Sequence, residues 1–222
     1  MQPKSNPDAA KAFRRRLLAW YRRAARDLPW RRTRDPWAVL VSEFMLQQTQ
    51  VARVLDYYPR FLGRYPTPAH LARARPKAVR EAWDGLGYYR RAANLHRLAR
   101  QVTSDMNGAI PSDPAELRKL PGVGHYTAGA VVCFAFEQPA ATLDTNVARV
   151  LTRTFLGRSR PPAGSRGVRR LTALALGLQP RRGRQAWAFN QALMELGALV
   201  CTARKPRCGD CPVRPDCRWG GQ

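Results

Sequence analysis

Four cysteines crowd into residues 201–217: Cys201, Cys208, Cys211 and Cys217, in the spacing C-x6-C-x2-C-x5-C. Thiolates that close together hold a metal, and both Zn²⁺ and an iron–sulfur cubane take four cysteinate ligands. A structural zinc site usually brings two short C-x2-C knuckles, whereas only one pair is that close here. The spacing alone therefore leaves the metal open. In a reducing compartment a tight quartet favours a metal over two disulfides. The fifth cysteine, Cys133, lies in the apolar run AVVCFAF and reads as a buried core thiol.

Two carboxylates stand apart from the rest. Glu43 interrupts the apolar stretch AVLVSEFMLQQTQV, with Val39, Leu40 and Leu46 on its own helical face. Desolvation raises the pKa of a carboxyl, which is what a general acid working near neutrality requires. The structural alternative is a Glu that meets one of the many arginines. Asp144, in TLDTNVARV, has the type and position of a helix N-cap, and a capping Asp can also face a cleft. A third feature is the turn KLPGVGHYTAGAV, where Gly122 and Gly124 permit a tight hairpin. Successive N–H groups beside the positive end of the next helix suit a phosphate and carry no base sequence information.

The charge agrees with a polyanionic partner. Lys and Arg total 39 against 15 acidic residues, a net +24. Nucleic acid is the first candidate because phosphate neutralisation releases counterions. A membrane surface is the weaker one, since no strongly amphipathic terminal helix accompanies the charge. No window approaches 18 uninterrupted apolar residues, and the first residues, MQPKSNPDAAKAFRRR, lack the apolar centre of a signal peptide. The expected location is the cytoplasm, at the nucleoid if the source is prokaryotic.

The elements that must position these groups are helices. Apolar periodicity predicts helices over 9–26, 36–50, 51–63, 68–73, 76–83, 88–106, 113–119, 126–136, 145–155, 167–177 and 184–200. Leu28-Pro29 ends the first, Ser112 or Asp113 caps the 113–119 helix, and 157–166 is an exposed loop. No strand pattern and no repeat is visible. Hydrophobic residues make up 45% of the chain, enough for a packed interior.

Taken together these segments resemble the helix-hairpin-helix DNA glycosylases, and within them the adenine DNA glycosylase branch. The carriers are LPWR (28–31), SEFMLQQTQV (42–51), GLGYYRRAANL (85–95), LPGVGHYTAGAV (120–131), LDTNVARVL (143–151), FNQALMELGALVC (189–201) and the cysteine quartet. The resemblance implies an all-α fold of two lobes: a six-helix barrel over 33–136, and a cluster lobe built from 1–32 and 137–222, with the cluster loop at 201–217. It places the base pocket in the cleft between them and makes the cofactor [4Fe–4S]. Carried over to this chain, Glu43 protonates the flipped base and Asp144 stabilises an oxocarbenium-like sugar, with Tyr126 and Asn146 in support. Gln48 and Tyr88 wedge into the duplex. Gly122, Gly124, Arg204, Lys205 and Arg207 meet phosphate, and Trp30, Arg31, Leu46, Val51 and Gln191 line the pocket.

The resemblance implies a monomer that acts on double-stranded DNA carrying a mismatched or oxidised base, most like removal of adenine opposite 8-oxoguanine or guanine. Where the endonuclease III branch carries a Lys after the hairpin, this chain has Tyr126, which implies no lyase step. The chain ends five residues after Cys217, so the expectation is that the Nudix-like domain of full-length adenine DNA glycosylases is absent. That compact layout is also similar to the thymine-DNA glycosylases acting on T·G or U·G mismatches. A non-catalytic iron–sulfur DNA-binding protein explains the charge, hairpin and cysteines, but not Glu43 together with Asp144.

Overall fold

A computed structural model describes residues 7–220. Residues 1–6 and 221–222, which belong to the sequence regions assigned above to the cluster lobe, lie outside the described residues, as does the start of the segment tested for a signal peptide. Among the described residues the fold is all helical, and no helix is long and apolar enough to cross a membrane.

The chain divides into two compact units, Asp27–Phe136 and the pair Met1–Arg26 with Glu137–Gln222. The two-part unit begins with α1 (Pro7–Ala24). The contiguous unit follows with α2 (Pro36–Leu46), α3 (Val51–Arg64), α4 (Pro68–Ala72), α5 (Pro76–Ala82), α6 (Arg90–Asp105), α7 (Pro114–Leu117) and α8 (His125–Phe134). The chain then returns to the first unit with α9 (Thr145–Leu156), α10 (Gly164–Leu178) and α11 (Gly183–Leu199).

Proline starts many of these helices because its fixed φ suits the first helical position and its missing N–H would have no partner there. Side-chain caps complete four of them: Asp35 accepts from Ala38 N at 2.7 Å, Thr67 from His70 N at 3.4 Å, Asp113 from Ala115 N at 2.8 Å and Asp144 from Val147 N at 2.6 Å. In the contiguous unit α2 is buried on every side from Trp37 to Met45, the pattern of a central core helix. Around it pack α3, α6 and α8, and the Trp37 indole donates to Tyr65 O at 3.0 Å. In the two-part unit Phe13 and Leu17 of α1 insert among Val147, Leu151, Phe189 and Leu196. Phe13 meets Phe155 and Phe189 edge-on at 5.0 and 6.3 Å between centroids. Arg26, just past α1, holds the fully buried Glu195 of α11 through Nε at 2.6 Å and Nη2 at 3.1 Å.

Several expectations need correction. Residues 27–32 belong with the contiguous unit. Pro29–Arg31 forms a 3-10 turn there, and Trp30 is buried edge-on against Tyr58 at 5.5 Å. Among the described residues that unit holds seven α-helical segments, the chain between α3 and α8 breaking into short pieces at prolines. The helix expected over 36–50 stops at Leu46, since Gln48 adopts φ +59°. The helix expected from 88 starts at Arg90, after Tyr88 at φ +47°. The predicted 157–166 loop gives way to α10 at Gly164.

Candidate functional site

Within the contiguous unit Glu43 lies on α2 with 5% of its surface exposed, among buried Val39, Leu40 and Phe44. The C-terminal end of α2 is tied to α8, where Gln47 Nε2 donates to Thr127 Oγ1 at 3.4 Å. Tyr126, the neighbour of Thr127, is half-buried in the first turn of α8. Of the expected pocket residues in this unit, Trp30 is buried, and Arg31, Leu46 and Val51 are half-buried. Burial, aided by the charge of Asp35, pushes the hydroxyl of Tyr58, the ring against Trp30, up to about 12.

The two hairpin glycines have different duties. Gly122 sits at φ +79°, and a Cβ there would come within 2.9 Å of Asn94 Cβ and 3.0 Å of Phe44 Cε1. Only glycine satisfies both the torsion and the close approach. Gly124 precedes α8 in extended backbone (φ −92°, ψ −178°), with no side-chain cap and open space where a Cβ would stand. The N-terminus of α8 thus lacks a side-chain cap from Gly124, and a helix start of that kind suits an anion.

Gln48 and Tyr88 also come together. They line one open surface pocket with Gln47, Tyr89, Arg91 and Asn94. Tyr88 is 59% exposed, an unusual position for a large apolar ring.

In the two-part unit Asp144 caps α9. Burial raises its carboxyl above the ordinary aspartate range, opposed by its bonds from Val147 N and the Asn146 amide. A chain of hydrogen bonds leads away from it. Asn146 Nδ2 donates to Asp144 Oδ2 at 3.1 Å, and Arg149 Nη2 donates to Asn146 Oδ1 at 2.8 Å. Arg149 Nε then donates to Cys201 O at 2.7 Å, and its Nη2 to Gly197 O at 2.8 Å. One helical turn on, Arg153 donates to Thr202 O at 2.7 Å, Ala203 O at 3.0 Å and Cys201 Sγ at 3.5 Å. Its guanidinium lies 4.2 Å from the Trp219 ring centroid. Gly197 lets α9 and α11 close on this relay, because a Cβ there would stand 2.7 Å from Asn146 Cβ. Arg149, Arg153 and Gly197 escape a sequence reading. The available signal is a pair of arginines four apart on the helix that Asp144 caps.

Gln191 is buried on α11. Arg204, Lys205 and Arg207 are exposed on the cysteine loop. Arg207 is partly committed within the protein, donating to Leu199 O at 2.9 Å and lying 3.7 Å from Asp210.

Cys201, Cys208, Cys211 and Cys217 all line one small cavity whose floor includes Val150, Leu196, Val200 and Val213. Burial, with the charges of Cys201, Cys217 and Cys208 adding to it, pushes the Cys211 thiol up to about 11. Four thiols gathered at one apolar cavity fit a cationic group able to take them all as thiolates. Among the described residues no trio of His, Cys, Asp or Glu converges as a single-ion site does. Thiols set around a cavity suit a cluster in which each cysteine takes its own iron.

Comparison with known proteins agrees with this geometry. Residues 201–217, which hold all four cysteines, match the iron–sulfur binding domain of endonuclease III, consistent with a [4Fe–4S] cluster. Residues 41–171 match the HhH-GPD superfamily of base excision DNA repair proteins. The chain is 52% identical over 204 residues to the adenine DNA glycosylase of Mycobacterium tuberculosis (strain ATCC 25618 / H37Rv), covering 91% of this chain and 66% of that one. It is 45% identical over 218 residues to the adenine DNA glycosylase of Homo sapiens, covering 93% of this chain and 39% of the relative. The chain therefore spans under two thirds of the length of these relatives. The thymine-DNA glycosylase of Aeropyrum pernix is 40% identical over 93% of both chains. Among solved structures, a thermostable thymine-DNA glycosylase superposes with a TM-score of 0.87 at 33% identity, over 96% of this chain and 97% of that one. A non-covalent endonuclease III–DNA complex gives 0.80 at 26% identity, over 96% and 95%. With a family match over most of its length and a relative 40% identical across almost its whole extent, the chain belongs to the HhH-GPD superfamily of base excision DNA repair proteins.

Proposed function

We propose that this protein is a monofunctional DNA N-glycosylase that removes adenine mispaired with 8-oxoguanine or guanine. The observation that carries the reading is an acid buried in an apolar helix, Glu43, in a chain that also caps a helix with the half-buried Asp144. A silent DNA-binding protein would need Asp144 as a cap but has no use for the pair as acid and charge. The 45–52% identity to adenine DNA glycosylases supports adenine as the base.

Adenine leaves poorly as an anion, so Glu43 donates its proton to N7 as the C1′–N9 bond breaks. Positive charge then builds on the sugar, and ionised Asp144, oriented by Asn146, offsets it. Water adds at C1′ and yields its proton to the Glu43 carboxylate, giving an abasic sugar and free adenine and restoring the acid. Extruding the base from the stack costs a few kcal/mol, which Gln48 and Tyr88 entering the duplex help to offset. Tyr126 supports the site, with Trp30, Arg31, Leu46, Val51 and Gln191 shaping the pocket. Hairpin N–H groups at Gly122 and Gly124, with Arg204, Lys205 and Arg207, hold phosphate. The cluster supplies the scaffold of the 201–217 loop. Strand cleavage through a Schiff base needs an amine. Position 126 offers a phenol, and Lys119, before the hairpin, is ion-paired with Glu116 at 2.7 Å. The protein acts as a monomer in this reading.

A second reading, thymine or uracil removal from T·G or U·G mismatches, is favoured by one observation: the thymine-DNA glycosylase structure matches this chain almost end to end. Thymine lacks a basic acceptor comparable to N7, so Glu43 weighs for a purine. Single-turnover assays on A·8-oxoG, A·G, A·C, T·G and U·G duplexes at fixed salt test the choice. Adenine release from A·8-oxoG or A·G is expected; rapid thymine release from T·G with no adenine release overturns it. Borohydride trapping of a covalent enzyme–DNA product would overturn the monofunctional assignment.

A further inference from the structure

Arg91 is the second residue of α6 and is buried, with 7% of its surface exposed. Its guanidinium forks between two separate segments. Nη1 donates to the last carbonyls of α2, Phe44 O at 3.0 Å and Met45 O at 2.8 Å, and also to Gln47 O. Nη2 donates to Thr49 Oγ1 at 2.9 Å and to the glycine loop, Leu86 O and Gly87 O, at 3.1 Å each. Its plane lies 5.4 Å from the Tyr88 ring centroid and 5.6 Å from that of Trp83.

The two segments share a second property. Each carries a non-glycine residue in the left-handed region, Gln48 at φ +59° and Tyr88 at φ +47°. Such torsions persist only where the surroundings over-determine them. The carbonyls flanking Gln48 (Gln47 O) and Tyr88 (Gly87 O) are both acceptors of one guanidinium. We propose that Arg91 is the positioning residue of the duplex wedge: one buried fork locks the Gln48 and Tyr88 loops to each other, so that both side chains are presented to DNA as one preformed unit. The inference rests on the wedge role given above to those two residues. A lysine cannot replace it, because a single ammonium lacks the planar fork that reaches both segments.

The test compares Arg91→Met, which keeps apolar volume and removes every donor, with Arg91→Lys. Hydrogen exchange is followed in 46–49 and 86–89, with α9 and α11 of the two-part unit as internal controls. Expected in Arg91→Met is a loss of protection of roughly tenfold or more in both segments, with the controls and the visible absorbance of the cluster unchanged. Extrusion, read by 2-aminopurine fluorescence beside the mismatch, and the single-turnover rate should fall by roughly 100-fold, as misplaced groups cost. Affinity for a fully paired duplex should change by less than about threefold, because phosphate contacts lie elsewhere. If Arg91→Met does not fold, Arg91→Lys is judged by the same criteria. Loosening of only one segment, or of neither, overturns the proposal, as does loosening of both with extrusion at the wild-type rate. A wild-type protein that releases no base from any duplex defeats the functional reading instead, and the exchange data then decide the clamp.

Discussion

Replacing each hairpin glycine with alanine should separate folding from DNA binding within three residues of chain. At Gly122 the new side chain must hold φ +79°, which costs about 1–2 kcal/mol for an L-residue. Its Cβ also arrives 2.9 Å from Asn94 Cβ and 3.0 Å from Phe44 Cε1, and Phe44 is fully buried. Overpacking of that kind typically adds about 1–3 kcal/mol. Gly122→Ala should therefore destabilise by roughly 2–5 kcal/mol and lower Tm by about 5–15 °C for a chain of this size. At Gly124 the torsion is ordinary and nothing lies within 4 Å of the added carbon. The only expected stability cost is the weaker N-cap, about 0.5–1 kcal/mol. In the proposed reading a phosphate approaches the N-terminus of α8, and the added methyl group obstructs it. Losing one charge-assisted hydrogen bond of about 1.5 kcal/mol weakens duplex binding roughly tenfold. Thermal melts and fluorescence anisotropy with a labelled duplex at fixed salt measure both quantities. The reasoning fails if Gly124→Ala lowers Tm as much as Gly122→Ala, or if Gly122→Ala melts with the wild type.

Three further outcomes are expected. Arg149→Met removes the donor shared by Asn146 Oδ1, Gly197 O and Cys201 O, and should cost about 2–4 kcal/mol, while single-turnover base release falls at least roughly tenfold because Asp144 loses its orientation; unchanged rates would remove the relay from the mechanism. Burial holds the Asp144 carboxyl above the ordinary aspartate range, so the acid limb of the rate–pH profile should lie above the unperturbed value of about 3.9. The folded chain also retains a proton there that the unfolded chain has released. Asp144 thus subtracts stability as pH rises from the unfolded value through the folded one, and Asp144→Asn should remove that pH dependence in urea melts between acid and neutral pH. Cys211→Ser should lower iron per chain and visible absorbance and loosen 201–217 to protease, whereas stoichiometric zinc in the wild-type protein would contradict the cluster assignment.

What the sequence made legible was local. Asp144 reads as a cap because capping is a contact three residues long, and it accepts from Val147 N as that chemistry requires. Glu43 reads as buried because its helical neighbours are aliphatic. The early end of α2 at Leu46 was hidden, since residues 47–50 look helical in isolation and are turned by a guanidinium more than forty residues away. Arg149 and Arg153 were hidden for the same reason: among 34 arginines nothing local marks those that bind carbonyls of the cysteine loop about fifty residues on. Trp30 was assigned to the wrong unit because its partner Tyr58 follows two helices later.

The split of one unit into Met1–Arg26 and Glu137–Gln222 has a consequence for biogenesis. On the ribosome α1 emerges first, with Phe13 and Leu17 destined for partners on α9 and α11 that have not been made. Asp27–Phe136, being contiguous, can close its core meanwhile. At usual elongation speeds α1 then waits roughly 10–35 s for those partners. During that interval it is a basic helix with an uncovered apolar stripe, a form that chaperones bind and that RNA in the same polysome attracts. Nascent-chain stalling after residue 136 should yield a protected contiguous unit with a protease-sensitive N-terminus, and protection of α1 should appear only once α11 has cleared the exit tunnel.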